Sequence, residues 1–238
     1  MSPLSNRRAL LLAPLGLGAC SVLPNRPYQE VQRFGLAPVR PGTAAGPGRA
    51  APVLLVRTLR AAPGLDVRGL RMVATDGQIT VEYWQEWAAP PADLTEEALR
   101  RWLMASGRFG AVTLPGSRLR ADVVLEGELT RLQAESATGL GRAAIAVLLL
   151  AESQSGGEAR ILGQFTAEGT APIAGERRRD GKVDAAAAAA AMSAALGAAL
   201  AGVEQGIAQL LPAAVAASAS RPPGSRPPVS HNARSAPR

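Results

Sequence analysis

The run DVVLEGELTRLQ, from Asp122 to Gln133, decides what kind of fold this chain adopts. Val123, Leu125 and Leu129 fall on one side of an extended chain, and Val124, Glu126, Glu128 and Thr130 fall on the other. Successive strand side chains point to opposite faces, so one face is buried and one is wet, as in an antiparallel sheet. Downstream, Ala143 to Leu150 is apolar on both faces and predicts a central or helix-covered strand. Ser155-Gly156-Gly157 turns the chain into another strand, Arg160 to Glu168.

A helix then follows from Asp184 to about Leu211. Asp184 is a suitable N-cap, the alanine run has the highest helix propensity, and Met192, Leu196, Leu200, Val203, Ile207, Leu210 and Leu211 form a helical stripe. Ala185 to Val203 carries no charge and is long enough to raise the question of a membrane span. Alanine is only marginally apolar and the large residues keep to one stripe, which predicts a helix lying across a sheet. Pro212 is expected to end it, and residues 212–238, rich in Pro, Ser and Arg, read as a disordered tail.

Upstream, Ala111 to Leu114 is a short strand bounded by Pro115-Gly116. Before it, Asp93 is placed to cap a helix, with Glu96 at capping-box spacing. Leu94, Ala98, Leu99, Trp102 and Leu103 share its apolar face, and Ser106-Gly107 stops it. Pro90 and Pro91 end the preceding strand, Ile79 to Trp87, in which Ile79, Val81 and Tyr83 alternate with Thr80, Glu82 and Trp84. Asp76-Gly77 predicts a tight hairpin back to a strand at Leu70 to Ala74. Val53 to Leu59 opens the domain as a β-branched apolar strand. Residues 20–52, rich in Pro, Gly and Ala with one short strand around Val31 to Leu36, read as a tether. The resulting order predicts a single α+β domain over residues 53–211. Its largely antiparallel or mixed β-sheet carries two helices packed on one face.

The formal charge is +7, with a pI near 11.0, yet the excess lies outside this domain. Arg7 and Arg8 precede it, and Arg221, Arg226, Arg234 and Arg238 lie in the tail. Removing these six from the 26 basic residues leaves 20 against 19 acidic ones, so no basic patch for nucleic acid is indicated. The only histidine, His231, lies in the tail, so His-dependent nucleophilic triads and His-rich metal sites are excluded, and no cofactor motif is present. Glu126 and Glu128 share a strand face, where two carboxylates describe a solvated surface better than a catalytic dyad. Gly139-Leu140-Gly141 lacks the rest of a phosphate loop and reads as a turn. Trp84, Trp87, Pro90 and Pro91 are the candidate partner-binding residues, because indoles beside a proline corner can form a docking platform. Against that, Trp87 also fits a core position and the prolines fit a simple corner.

At the N-terminus, Arg7 and Arg8 precede an apolar run that is too short to span a bilayer, followed by Leu17-Gly18-Ala19-Cys20 with the only cysteine in the chain. This pattern resembles a bacterial lipoprotein signal over residues 1–19. The resemblance implies that Cys20 is lipidated, with Leu17, Gly18 and Ala19 as the lipobox before it.

From Val53 to Leu211 the chain also resembles the ABC-type transport auxiliary lipoprotein family. The residues that carry this are Ala62-Pro63-Gly64, Arg71-Met72-Val73, the run YWQEWAAPPADL from Tyr83 to Leu94, Leu103, Ser106-Gly107-Arg108-Phe109, Ala111-Val112 and Leu125-Glu126-Gly127-Glu128-Leu129. The family's usual Tyr-Leu pair before the domain is replaced here by Phe34-Gly35-Leu36. The resemblance implies a non-enzymatic lipoprotein, anchored to a membrane by its lipid and facing the periplasm. Its partners would be an MCE-type lipid-binding subunit and an ABC permease/ATPase complex that move phospholipids or related hydrophobic molecules between inner and outer membranes. Ser21 after the cysteine favours the outer membrane, since Asp there commonly retains a lipoprotein at the inner one. The alternative is a lipoprotein that assists the assembly or docking of another envelope machine.

Overall fold

The computed structural model describes residues 28–42, 46, 51–152, 158–175 and 183–219, with side chains placed through Pro212. The chain from Val31 onward forms one unit. Its elements are β1 (Gln32–Phe34), β2 (Val53–Val56), β3 (Arg60–Ala61), β4 (Gly69–Val73), β5 (Ile79–Trp87), α1 (Pro91–Ala105), β6 (Ala111–Thr113), β7 (Val123–Glu135), β8 (Leu140–Ala151), β9 (Arg160–Pro172) and α2 (Ala185–Ala219).

The run from Val123 to Gln133 lies in β7, the axis of a mixed sheet. One of its edges pairs antiparallel with β8 along its length, and β8 pairs antiparallel with β9. The other edge takes three short parallel partners in succession: β2 against Val123 to Leu125, β3 against Glu128 and Leu129, and β4 against Ala134 and Glu135. β6 adds beyond β2, while β5 and then β1 add beyond β4. A register shift between Leu129 and Arg131 moves the buried positions from odd to even numbers, so that Leu129, Leu132 and Ala134 all lie on the core side. Val124, placed by its alternation on the wet face, is 1% exposed.

The Asp76-Gly77 hairpin forms as its residues require. Gly77 has φ 83°, Ala74 N–H donates to the Gln78 carbonyl at 2.9 Å, and Asp76 Oδ1 accepts from Gln78 N–H at 2.9 Å.

α1 begins two residues before the expected cap. Pro90 occupies the N-cap without a side-chain bond, Pro91 starts the helix, and Asp93 sits in the first turn. Proline suits the first helical position because its φ is preset and it lacks an N–H that would go unbonded there. Glu96 forms no capping box; it accepts from Leu59 N–H at 2.8 Å and so fastens α1 to the connection between β2 and β3, where the strand expected to reach Leu59 has already ended at Val56.

α2 is capped by Asp184, whose Oδ2 accepts from Ala187 N–H at 3.0 Å. Met192, Leu196, Leu200, Val203 and Ile207 are fully buried over β8 and β9. The helix is long and apolar enough to cross a membrane, but its large side chains are spent on the sheet. It also runs through Pro212 to Ala219 rather than ending at the proline. A proline removes one hydrogen bond and kinks the helix, and the good helix formers around it, Gln209, Leu210 and Leu211 before and alanines after, sustain it.

The segment expected to be a tether contributes to the fold. β1 pairs with β5, and Leu36 is 4% exposed in the core, so the packed unit starts well before Val53.

Candidate functional site

β5 leaves its ladder in the middle. Gly69 pairs with Glu86 and Arg71 pairs with Val81, so Leu70 alone stands opposite Glu82, Tyr83, Trp84 and Gln85. Gly69 makes room for this bulge: a Cβ there would meet Val81 Cγ1 at 2.5 Å and would strike the Glu82 carbonyl. Bulges of this kind re-aim side chains. Tyr83 is 78% exposed and Trp84 39%, and their rings meet edge to face at a centroid distance of 4.8 Å. Ile79 and Val81, which the alternation of β5 assigns to a buried face with Tyr83, are about half exposed. The hairpin sends Leu70 and Trp87 into the core and leaves the other side of β4 and β5 uncovered.

Of the four candidate partner-binding residues, Trp84 stands on the surface and Pro90 is half-buried. Trp87 is a core residue at 1% exposure, and Pro91 is buried at the start of α1. Tyr83 belongs to the exposed aromatic group although it shares the apolar face of β5 with Ile79 and Val81.

Behind the bulge, two of the motifs come together. Gly64, at φ 80°, lies against Arg71, whose Nη1 is 2.9 Å from where a Cβ would stand. Only glycine satisfies both the positive φ and this approach. Arg71 Nε is buried with no hydrogen-bond partner in the described structure.

A second polar centre joins α1, α2 and the segment after β1. The Glu204 carboxylate accepts from Arg40 Nε at 3.2 Å and Nη2 at 3.0 Å, and from Trp102 Nε1 at 2.8 Å. Arg108 Nε lies 3.5 Å away, and the Arg40 guanidinium is 5.9 Å from the Trp102 ring centre. Burial alone raises the Glu204 pKa, but the Arg40 and Trp102 hydrogen bonds and the charges of Arg40 and Arg108 outweigh it and hold the carboxyl below its ordinary range. Glu135 on β7 follows the same pattern. Desolvation is overcome by hydrogen bonds from Arg142, Gln133 and Thr138, with the Arg142 contact at 2.6 Å.

On the open face of the sheet, Glu126 pairs with Arg57 at 2.6 Å and Glu128 with Arg60 at 3.6 Å, in mostly solvated pairs. Among the described residues, no three His, Cys, Asp or Glu side chains gather to hold a metal ion. Leu17, Gly18, Ala19, Cys20 and His231 lie outside the described residues.

No protein-family model and no curated protein sequence matches the chain. Among solved structures it is similar to protein XCC0632 from Xanthomonas campestris, described as DUF330, with 24% identity, 79% of this chain and 99% of that one covered, and a TM-score of 0.58. It is also similar to an uncharacterized protein at 14% identity, with 75% of this chain and 99% of that one covered and a TM-score of 0.52. At these identities the likeness is one of fold.

Proposed function

We propose that this chain is a lipid-anchored periplasmic protein that catalyses no reaction and serves as the auxiliary, docking component of an MCE-type ABC transport system for phospholipids or related hydrophobic molecules. The observation that carries it is the pairing of a lipobox-like stretch, Leu17-Gly18-Ala19-Cys20, with a domain resembling the ABC-type transport auxiliary lipoproteins. The fold likeness to the DUF330 protein agrees with it. Anchoring is assigned to Cys20, and the outer membrane is the better location because Ser21 follows it. The partner contact is assigned to Tyr83 and Trp84, since adjacent exposed aromatics offer large rigid contact area at low entropic cost.

Site-specific photocrosslinking from position 83 in intact cells tests this reading. The expected product is a covalent adduct with the MCE-type subunit, lost in the Tyr83→Ala/Trp84→Ala variant when the crosslinker is moved to position 81. Adducts with a different envelope assembly, together with unchanged outer-membrane lipid asymmetry after deletion, would overturn it.

A further inference from the structure

One face of α2 changes character along its length. Ala186, Ala190, Ala194, Ala198 and Ala201 recur at three- and four-residue spacing and are all exposed. A surface helix ordinarily carries charged or polar side chains on such a face. Here it is followed by the segment after β1, and Phe34, Val39 and Pro41 form the opposite wall of an apolar groove of about 700 Å³. Val39 is 83% exposed, so this wall too is apolar surface turned to the outside. From Ala186 to Ala201 the floor is about 22 Å long at the rise of an α-helix, and half of a bilayer's hydrocarbon core of about 30 Å would fit within it.

At Pro41 and Ala201 the groove meets a second cavity of about 270 Å³, lined by Arg40, Trp102, Arg108 and Glu204. Two guanidinium groups there face one carboxylate, leaving one positive charge in excess. Arg40 is committed to Glu204 through two nitrogens. Arg108 approaches it less closely, with Nε at 3.5 Å, and its side chain is 41% exposed. An apolar trough of acyl-chain length therefore ends at a partly exposed guanidinium, the group best suited to a phosphate.

We infer that this face binds a single anionic phospholipid, with an acyl chain along the alanine floor and the phosphate on Arg108. The inference deepens the transport role proposed above and rests on it for its biological sense. The charge excess at one end favours a monomeric anionic lipid over a second copy of the chain or a neutral membrane surface.

The test uses the full chain as its Cys20→Ser variant, so that it carries no lipid of its own. It is titrated calorimetrically with lysophosphatidylglycerol and lysophosphatidylcholine of equal chain length, both below their micelle concentrations. One lipid per chain is expected, with the anionic probe bound about tenfold more tightly, because the choline cation of the other probe meets the excess positive charge of the site. Arg108→Gln is expected to weaken binding of both probes, since each carries the phosphate, and to shrink the preference for the anionic one, since the choline cation then meets less excess positive charge. Ala194→Phe fills the trough and is expected to abolish binding of both; Ala190→Gln, on the same exposed face, gives the same result if the phenylalanine disturbs folding. Equal affinities for the two probes, or binding untouched by both trough variants, would overturn the inference. So would binding to phosphatidylglycerol vesicles without binding to the monomer, or a dimer that both trough variants dissociate. Loss of lipid binding with capture of the MCE-type subunit intact defeats this inference alone, and the reverse defeats the transport role alone.

Discussion

Replacing Glu204 by alanine is expected to destabilise the domain by about 2–3 kcal/mol at pH 7, and the size follows from who depends on it. Its carboxylate receives two bonds from Arg40 and one from Trp102, and the Glu204 and Arg40 side chains are 14% and 18% exposed. Stripping one partner from a fully buried ion pair costs about 3–5 kcal/mol. Here water reaches part of the pair, and Arg108, at 41% exposure, adds little, which brings the figure down. The loss corresponds to a fall in Tm of about 5–10 °C for a domain of this size. Glu204→Gln keeps an acceptor for the indole and is expected to cost about half as much.

The same residue fixes a pH signature. Because its folded pKa lies below the ordinary 4.5, its stabilisation is complete above that value and disappears as pH falls through the folded pKa. Urea unfolding of wild type and Glu204→Ala at pH 7, 5.5 and 3 is therefore expected to give a constant gap at the two higher values and a smaller gap at pH 3. A gap below about 0.5 kcal/mol at pH 7 would refute the role of this cluster, since that is the scale of a plain surface substitution. A gap as large at pH 3 as at pH 7 would refute the electrostatic part.

Trp87→Ala is expected to cost about 3–5 kcal/mol by denaturant unfolding, and Trp84→Ala less than about 1, because one indole is core and the other is surface. Thr95, fully buried with an unbonded Oγ1, is expected to tolerate Thr95→Val with a change between zero and a gain of about 1 kcal/mol. Gly169→Ala would drive a Cβ into the Ala195 carbonyl and to 2.5 Å from Ala199 N, so a loss of about 3 kcal/mol in thermal unfolding is expected as α2 is lifted from β9.

What could be read in advance was whatever local spacing dictates. The alternation of β7, the stripe of α2, the Asp184 cap and the Asp76-Gly77 turn each depend on residues a few positions apart, and each formed, Val124 on β7 excepted. Even the β7 irregularity leaves a trace, as apolar positions pass from odd at Leu129 to even at Leu132. β5 shows the limit. Ile79, Val81 and Tyr83 alternate as a buried face would, but burial needs a covering element and none lies over them among the described residues. The four residues opposite Leu70 depend on the contact of Gly69 with a strand more than ten positions away. Likewise Arg40 and Glu204 are 164 residues apart, so their pairing has no local signature, and a three-residue strand such as β1 is too short for periodicity to reveal.

α2 shows two reasons for one composition. On its inner side, small residues are required by distance: a Cβ at Gly141 would meet the Ala191 backbone carbonyl carbon at 2.5 Å, and Gly169 makes a similar approach one helical turn on. Helix and sheet backbones are nearly in contact there, which admits only alanine or glycine between the larger stripe residues. Ala198 still borders that approach, its Cβ 2.9 Å from where one on Gly169 would stand. Ala186, Ala190 and Ala194 are exposed, and lysine or glutamate would propagate the helix nearly as well as alanine. Packing and propensity thus account for half of the alanine run and are indifferent to the other half. Apart from the buried Ser193, the polar residues of α2 begin where the groove ends, with Glu204, Gln205 and Gln209, so the apolar outer face keeps to the length that faces the Phe34 to Pro41 wall. A helix tuned only for folding or solubility would have no reason to change at that boundary; one that must leave room for an apolar ligand would.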